Sequence, residues 1–469
     1  MLTAVTAAAI VASVAISIYF VLWNAFQLLM SPVAALYIWR HQRLHTPRAR
    51  AVVGQIASQP LVSIVVPAFN EALTIVESVR ALLALDYEAR EIVVVNDGSS
   101  DQTLATLSRA FQLTPAPLAF EQPIKTAPVH GVYRSITEPE LVVVDKENGR
   151  SKADASNAGI NAASGVLVLI IDADTVLEPD ALSRAVVPFL EDSTTVAVGS
   201  HVAITNGCRI EHGRITMVAL PRNWFARFQV VEYMRSFLIF RLACASANAV
   251  VLISGAFGLF RRDAVIAVGG YDPTAIGEDM DLTVRLQEHF RARRQPIRIA
   301  FDPHPLGWTQ APEDRRSLRG QRWRWRRGLL QVLWRHRRMI GTSRYGTVSL
   351  WVLPYILLFE GAAPLIEVAG LSITAAAASL GLLNWRYFIA MIAASALLGT
   401  AVTLISLVLS DIATARYQRG RELAMLVVVA ILESFGYRQL NSWWGCVGTV
   451  QALSGRGSWG AITRRAFES

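Results

Sequence analysis

An α/β domain carried between membrane-spanning helices is the fold class this sequence predicts, and three observations predict it. No charged residue occurs from Met1 to Trp39. Apolar stretches return at 348–372, 386–410 and 423–453. Between about residue 55 and residue 340, strand-like runs, polar turns and helical patterns alternate, the signature of strands joined by crossover helices. Composition agrees: 53% of the 469 residues are hydrophobic and the mean hydropathy is +0.36, too apolar for an ordinary soluble enzyme.

The first run is too long for a signal-peptide core and ends in no small-residue cleavage pattern, so it reads as a retained anchor, or as a tight pair of spans broken near Ser31-Pro32. The flank Arg40, His41, Arg43, His45, Arg48 and Arg50 places the next segment in the cytoplasm by the positive-inside bias. The boundaries that result are an anchor at 1–40, a cytoplasmic domain at 41–340 whose stretch from about 317 to 340 is an interfacial helix, a membrane block at 347–455 and a basic interfacial tail at 456–469.

Within the domain, "LVSIVVPAF" (61–69) is a continuous β-branched run containing Pro67, a buried parallel strand rather than a helix. "EALTIVESVRALLAL" then predicts a helix with Asn70 and Glu71 at its start. "REIVVVNDGSSDQT" repeats the unit, and "GVLVLIIDADTVLEPDALSRAVVPFL" is a third. The expectation is a doubly wound α/β sheet with its ligand at the carboxyl ends of the strands, where Asp97, Asp172 and Asp174 fall. Residues 104–140, proline-rich and without clear period, are expected to form a long loop with at most one short hairpin.

In the membrane block, the short basic loop "RYQRGRE" (416–422) is expected on the cytoplasmic side, which requires two crossings between 347 and 416. Gly436-Tyr437-Arg438-Gln439 interrupts the last apolar run, leaving that crossing open. Glu360 and Glu367 are acids inside apolar sequence; they face a conduit, or they sit near a membrane boundary or pair with a neighbouring helix. The net charge of +9 is carried almost entirely by arginine, much of it beside the membrane block, so an anionic bilayer or substrate is a better partner than nucleic acid. Cys208, Cys244 and Cys446 have no metal-ligand spacing and form no disulfide framework.

"IIDADT" sets two carboxylates at a strand end, hard oxygen ligands that suit Mg²⁺ or Mn²⁺ bridging to a diphosphate, or a polar turn that caps the next helix. "NDGSSDQT" is either an N-capped turn or an aspartate placed to receive a nucleobase N–H. "RSKADASNAG" brings Lys152, Asp154 and Asn157 to a helix start, where the lysine can hold a phosphate or simply be solvated. In "GEDMDLTVRL", Glu278, Asp279 and Asp281 either satisfy the helix dipole or supply a general base. Helical spacing in "QRWRW" puts Gln321, Arg324, Trp325 and Gly328 on one face, an amide, a guanidinium and a flat ring. Arg322, Arg326, Arg327, Arg335, Arg337 and Arg338 then fall to an interfacial role on lipid headgroups.

In this order the motifs resemble those of the processive membrane-embedded family-2 glycosyltransferases, which include cellulose, hyaluronan, chitin-oligomer and poly-N-acetylglucosamine synthases. The likeness covers the whole soluble middle and the flanking spans; "SGAFGLFRRDAV" and "WTQAPE" are most similar to the poly-N-acetylglucosamine branch. The resemblance implies a GT-A type nucleotide-sugar-binding domain and a UDP-sugar donor, UDP-N-acetylglucosamine before UDP-glucose. It implies that Asp97 holds uracil, Lys152 approaches the nucleotide, Asp172 and Asp174 serve donor and metal, and Asp279, beside Glu278, is the general base. Gln321, Arg324 and Trp325 would bind diphosphate and acceptor, with Ser254, Gly255 and Ala256 lining the acceptor side. The product would be a β-linked glycan made by inversion at a bacterial inner membrane, with room for accessory export subunits. Two departures bear on substrate and channel: the 104–140 segment is longer than in the family, and the final spans are shorter than in cellulose synthases. Single transfer to a lipid, as in ceramide glucosyltransferases, is the rival enzyme; a membrane scaffold with a dead enzymatic domain is the rival of another class.

Overall fold

The computed structural model describes residues 2–44, 59–117, 120–211, 213–414, 416–417 and 419–453. His45, Arg48, Arg50 and the 456–469 tail lie outside them. In chain order the strands are β1 (Val62–Ala68), β2 (Arg90–Asp97), β3 (Leu113–Ala116), β4 (Val129–Ser135), β5 (Leu141–Lys146), β6 (Leu167–Ile170), β7 (Val176–Leu177), β8 (Thr195–Ile204), β9 (Arg209–Glu211), β10 (Arg214–Met217), β11 (Gly258–Arg261) and β12 (Arg298–Thr309). The principal helices are α1 (Leu2–Leu44), α2 (Ile75–Leu83), α3 (Thr103–Phe111), α4 (Lys152–Ala162), α5 (Ala181–Glu191), α6 (Trp224–Arg235), α7 (Glu278–Ala292), α8 (Arg315–Arg335), α9 (Ala363–Ser379), α10 (Trp385–Thr414), α11 (Gly420–Leu432) and α12 (Arg438–Leu453).

The main sheet has the order β3-β4-β5-β2-β1-β6-β11-β8-β12-β7. Its centre, β5-β2-β1-β6, is parallel, as the β-branched runs predict. The sheet as a whole is mixed. β11 runs antiparallel between β6 and β8, and β4 and β3 close one edge antiparallel. Antiparallel neighbours need no crossover helix, so short strands can join the edges without a helical pattern around them. The expected long loop is corrected: α3 occupies 103–111, and β3 and β4 pair as a hairpin across the rest. Pro115 sits in β3, at the sheet edge, where a missing N–H costs no ladder bond.

Central strands are buried on both faces. Val62, Ile64 and Val66 share one core with Ile38 of α1 and with Val402 and Leu409 of α10. Val65, Val93 and Val95 share the other with Ala155 and Ala158 of α4, Leu282 and Leu286 of α7, and Val348 and Val352. The sheet therefore has no hydrophobic boundary with the apolar helices, and domain and helices form continuous cores.

Among the described residues, four segments are long and apolar enough to cross a membrane: Val11–Arg43, Val348–Ser379, Trp385–Thr414 and Gly420–Ala452. α1 runs unbroken through Pro32, so the tight pair of spans is excluded; a proline removes one helical bond, which packing against neighbouring helices tolerates. The last segment kinks at Phe435 and Gly436, where Gly436 takes φ 95°. Just before the kink, buried Glu433 accepts from Arg438 Nε at 3.0 Å and pairs with Arg235 of α6. The polar interruption is thus an ion-paired cluster inside the bundle. The loop after α10 returns to the α/β domain, where Arg416 meets Glu178 at 2.6 Å and lies over the Trp308 ring. Both ends of 347–416 are on the domain's side, which takes two crossings.

Candidate active site

The parallel strands aim their carboxyl ends at one cleft, and the loops there are fixed by short polar contacts. Asn70, at φ 58°, follows β1 and accepts from Ser100 N at 2.8 Å, tying the loop after β2 to the end of β1. Asp97 ends β2, buried, with Oδ1 accepting from Lys146 Nζ at 2.6 Å and from Gly149 N at 3.0 Å. Lys146 is its register partner on β5 and also meets Asp154 at 2.6 Å. Asn157 exchanges two 2.8 Å bonds with the Tyr271 backbone. Asp154 and Asn157 therefore hold the scaffold of the cleft, while Lys152, one turn earlier, reaches into it.

Ser151 caps α4 by accepting from Ala153 N, which sets Lys152 at the first position of the helix. Its Nζ lies 2.6 Å from Asp172 Oδ1 and donates to Gly255 O at 3.2 Å. Gly255 N in turn donates to Asp279 Oδ2 at 2.8 Å. A Cβ on Gly255 would stand 3.0 Å from both Asp279 Oδ2 and Lys152 Nζ, so any side chain there would push the carboxylate or the ammonium aside. Ser254 and Ala256 flank it, Ala256 buried. Glu278 and Asp279 form the first turn of α7 after Gly277, and Gly277 touches Gly328 of α8: a Cβ on Gly328 would come within 2.9 Å of Gly277 N and Cα. That contact brings Arg324 within the field of Glu278. Gln321 Oε1 is buried without a hydrogen-bond partner, and Trp325 is 47% exposed with its ring 6.3 Å from Tyr233.

Crowded carboxylates dominate the electrostatics. Burial, then Asp279, pushes Glu278 up to about 8. Burial, then Asp172, pushes Asp174 up to about 6, against the pull of Lys152. Burial alone would lower Lys152, yet Asp172, Asp279 and Glu278 together hold it above the usual lysine range. Burial lowers Arg324, opposed by Glu278. The cleft has more negative groups than its one lysine offsets, a charge balance that fits a cation beside Asp172 and Asp174. Among the described residues, the cluster whose spacing suits a metal lies elsewhere: His41, Asp302 and His304, where α1 meets β12. Arg184 of α5 already donates to Asp302 Oδ1 at 3.2 Å there, so an ion pair supplies the positive charge.

Three arginines expected on lipid headgroups are corrected. Arg322 forks onto Glu232 of α6, with Nη2 2.7 Å from Oε2, and lies over the Trp325 ring at 4.8 Å. Arg326 is 6% exposed and bonds Thr449, Glu360 O and Gly361 O. Arg335 meets Asp281 at 3.1 Å, alongside Asp272. The reason is that α8 packs against α7 and α12, and a guanidinium can satisfy several acceptors between packed helices. Arg337 and Arg338 remain exposed. Sequence reasoning also missed Lys146, although "LVVVDK" is a β-branched run ending in charge, the pattern that singled out Asp97. It missed Arg241, which with Ser236, Cys244, Met280, Leu329 and Glu360 lines a small cavity beside the first turn of α7. Glu360 thus faces a cavity, whereas Glu367 bonds Ser442 of α12.

Comparison with known proteins agrees with this architecture. The family described as Glycosyl transferase family 2 matches residues 63–269, and Glycosyl transferase family group 2 matches residues 167–410. The chain is 30% identical over 293 residues to the poly-beta-1,6-N-acetyl-D-glucosamine synthase of Staphylococcus aureus (strain COL), covering 62% of this chain and 58% of that protein. It is 28% identical over 299 residues to the synthase of that description from Staphylococcus epidermidis, covering 64% and 60%. The match therefore spans less than two thirds of these relatives. A solved structure of the mannosyltransferase PcManGT from Pyrobaculum calidifontis, in complex with GDP-Man and Mn2+, superposes at TM-score 0.52 and 20% identity over 90% of this chain and 99% of that one, which shows the fold. Together with its cleft and apolar helices, these matches show that the chain belongs to glycosyl transferase family group 2.

Proposed function

We propose that the cleft transfers a sugar from a UDP-sugar, UDP-N-acetylglucosamine ahead of UDP-glucose, to a hydroxyl of a growing β-linked glycan. The observation that carries this reading is the contact chain Asp172–Lys152–Gly255–Asp279, which sets a carboxylate base beside a donor-side lysine and acid. The names of the relatives support the polymer and the donor. Asp97 accepts the uracil N–H, Lys152 neutralises phosphate, and Gln321 and Arg324 hold the diphosphate. Trp325 stacks on the acceptor sugar, with Ser254, Gly255 and Ala256 along its path. Asp279 takes the proton of the acceptor hydroxyl as that oxygen bonds the anomeric carbon and the bond to UDP breaks on the opposite face, giving inversion. Glu278, raised to about 8, stays protonated at neutral pH and adds no second charge beside the base. Asp172 and Asp174, two carboxylates close together at the end of β6, offer hard oxygen ligands that fit Mg²⁺ or Mn²⁺; when bound, the ion would offset charge on the leaving diphosphate.

The apolar helices beside the cleft offer the product a route across the membrane, and the basic flank after α1 supports a domain at the cytoplasmic face of a bacterial inner membrane. Membranes holding the protein, given UDP-N-acetylglucosamine, should release UDP and accumulate long chains. Asp279→Asn should lower transfer by about 10²- to 10⁴-fold with membrane insertion unchanged. A lipid-extractable single-sugar product would sink polymerisation, and full activity in Asp279→Asn would refute the base.

A further inference from the structure

Trp325 and Arg324 reach the cleft only if α8 is held at one rotation about its axis, because neighbouring residues on a helix differ by about 100°. Arg322 on Glu232 and Arg335 on Asp281 anchor that helix along its length, and two further contacts fix it between them. The Gly277–Gly328 approach sets how near α8 lies to α7. Arg326 supplies the second: Nε donates to Thr449 Oγ1 of α12 at 2.8 Å, Nη1 to Glu360 O at 2.6 Å, and Nη2 to Gly361 O. Those carbonyls end a π-helical turn, Ile356–Gly361, before α9 begins, so they lack helical partners and are natural acceptors. The slot is shaped for this side chain: a Cβ on Gly448 would stand 3.3 Å from Arg326 Cγ. The Glu360 side chain, on the same turn, lines the cavity beside the first turn of α7.

We infer that Arg326 is a positioning residue that locks the rotation of α8, and with it Trp325, to the Glu360–Gly361 turn at the wall of the cavity. This rests on the proposed transfer reaction. A planar fork donating in three directions holds azimuth as well as distance; a lysine ammonium on a flexible stem holds neither in the same way. Displacement of the cavity wall by a glycan is then transmitted to the ring that stacks on the acceptor, while the nucleotide contacts at Asp97 and Lys152, on other elements, are left in place.

The test uses the full chain in nanodiscs with Arg326→Lys, Arg326→Gln and, from the opposite wall of the slot, Gly448→Val. Initial rates of UDP release give kcat, equilibrium binding gives the Kd for UMP, whose base and phosphate fall to Asp97 and Lys152 rather than to Gln321 and Arg324 on α8, and gel filtration gives product length. All three variants are expected to keep the UMP Kd within about twofold, to lose at least about tenfold in kcat and to make shorter chains. Wild-type kcat and chain length in the variants that fold would overturn the inference, as would a fall in kcat matched by an equal rise in the UMP Kd. If the arginine variants do not fold, Gly448→Val decides by the same criteria. A parent protein that makes only a single-sugar product sinks polymerisation, and kcat against the UMP Kd still decides the role of Arg326.

Discussion

Charges at single residues in this cleft are set by neighbours on other strands. Lys146 shows it best: fully buried, it sits between Asp97 and Asp154, 2.6 Å from each. Lys146→Met leaves two buried carboxylates without their counterion and should cost about 3–5 kcal/mol of stability, read as a lower midpoint of thermal or denaturant unfolding. Trp325 is the opposite case, a large ring left 47% exposed at the cleft. Its packing value is small and its proposed stacking value large, so Trp325→Ala should end synthesis with little change in unfolding temperature. Asp97, Asp172 and Asp279 were legible in the sequence because type and local position suffice to find them: an acid at the end of a β-branched run or in the first turn of a helix. Lys146 became meaningful only when β5 was seen to pair with β2 in that register.

At the scale of elements, the junction of α7 and α8 decides whether the cleft is assembled. Gly328→Val forces bulk against the Gly277 backbone, separating the helix that carries Glu278 and Asp279 from the one that carries Arg324; overpacking of this kind costs about 1–3 kcal/mol, and transfer should fall far more than stability. The far end of the junction is polar. His336 lies 3.3 Å from Asp281 and 3.0 Å from Glu288. Burial lowers the imidazole, but those two carboxylates outweigh it and raise its pKa. A raised histidine contributes stability that is fully present below about pH 6.5 and is lost as pH rises through the folded-state value. His336→Gln should therefore lower the unfolding temperature clearly near pH 6 and progressively less toward pH 9. The helical periodicity of "QRWRW" was correct about one face, yet silent about what covers the others. Arg322 and Arg326 find Glu232, Glu360 and Thr449, partners far away in sequence that no local pattern names.

For the whole molecule, the continuity of both cores from sheet to apolar helices means that domain and helices should unfold together. It also fixes topology. The Arg416–Glu178 contact holds the α10–α11 loop against the domain, whereas the turn between α9 and α10, near Asn384, lies at the opposite ends of those helices. Single cysteines placed at Glu138 and Arg419 in a cysteine-free background should label from one side of sealed vesicles, and one at Leu382 from the other; labelling of all three from one side would overturn two crossings by 348–414.

The sequence by itself determined the apolar helices, the parallel centre of the sheet and the acids at its carboxyl ends. Each depends on hydrophobic period, β-branched runs and residue type at a chain-local break. Only the tertiary structure decided the antiparallel edges, the unbroken passage of α1 through Pro32 and the fate of the arginines in "GQRWRWRRG". A guanidinium looks alike in sequence whether it meets lipid phosphate, a carboxylate or the orphan carbonyls of a broken helix. Which one it meets is set by the helices that pack on α8, and those come from the other end of the chain.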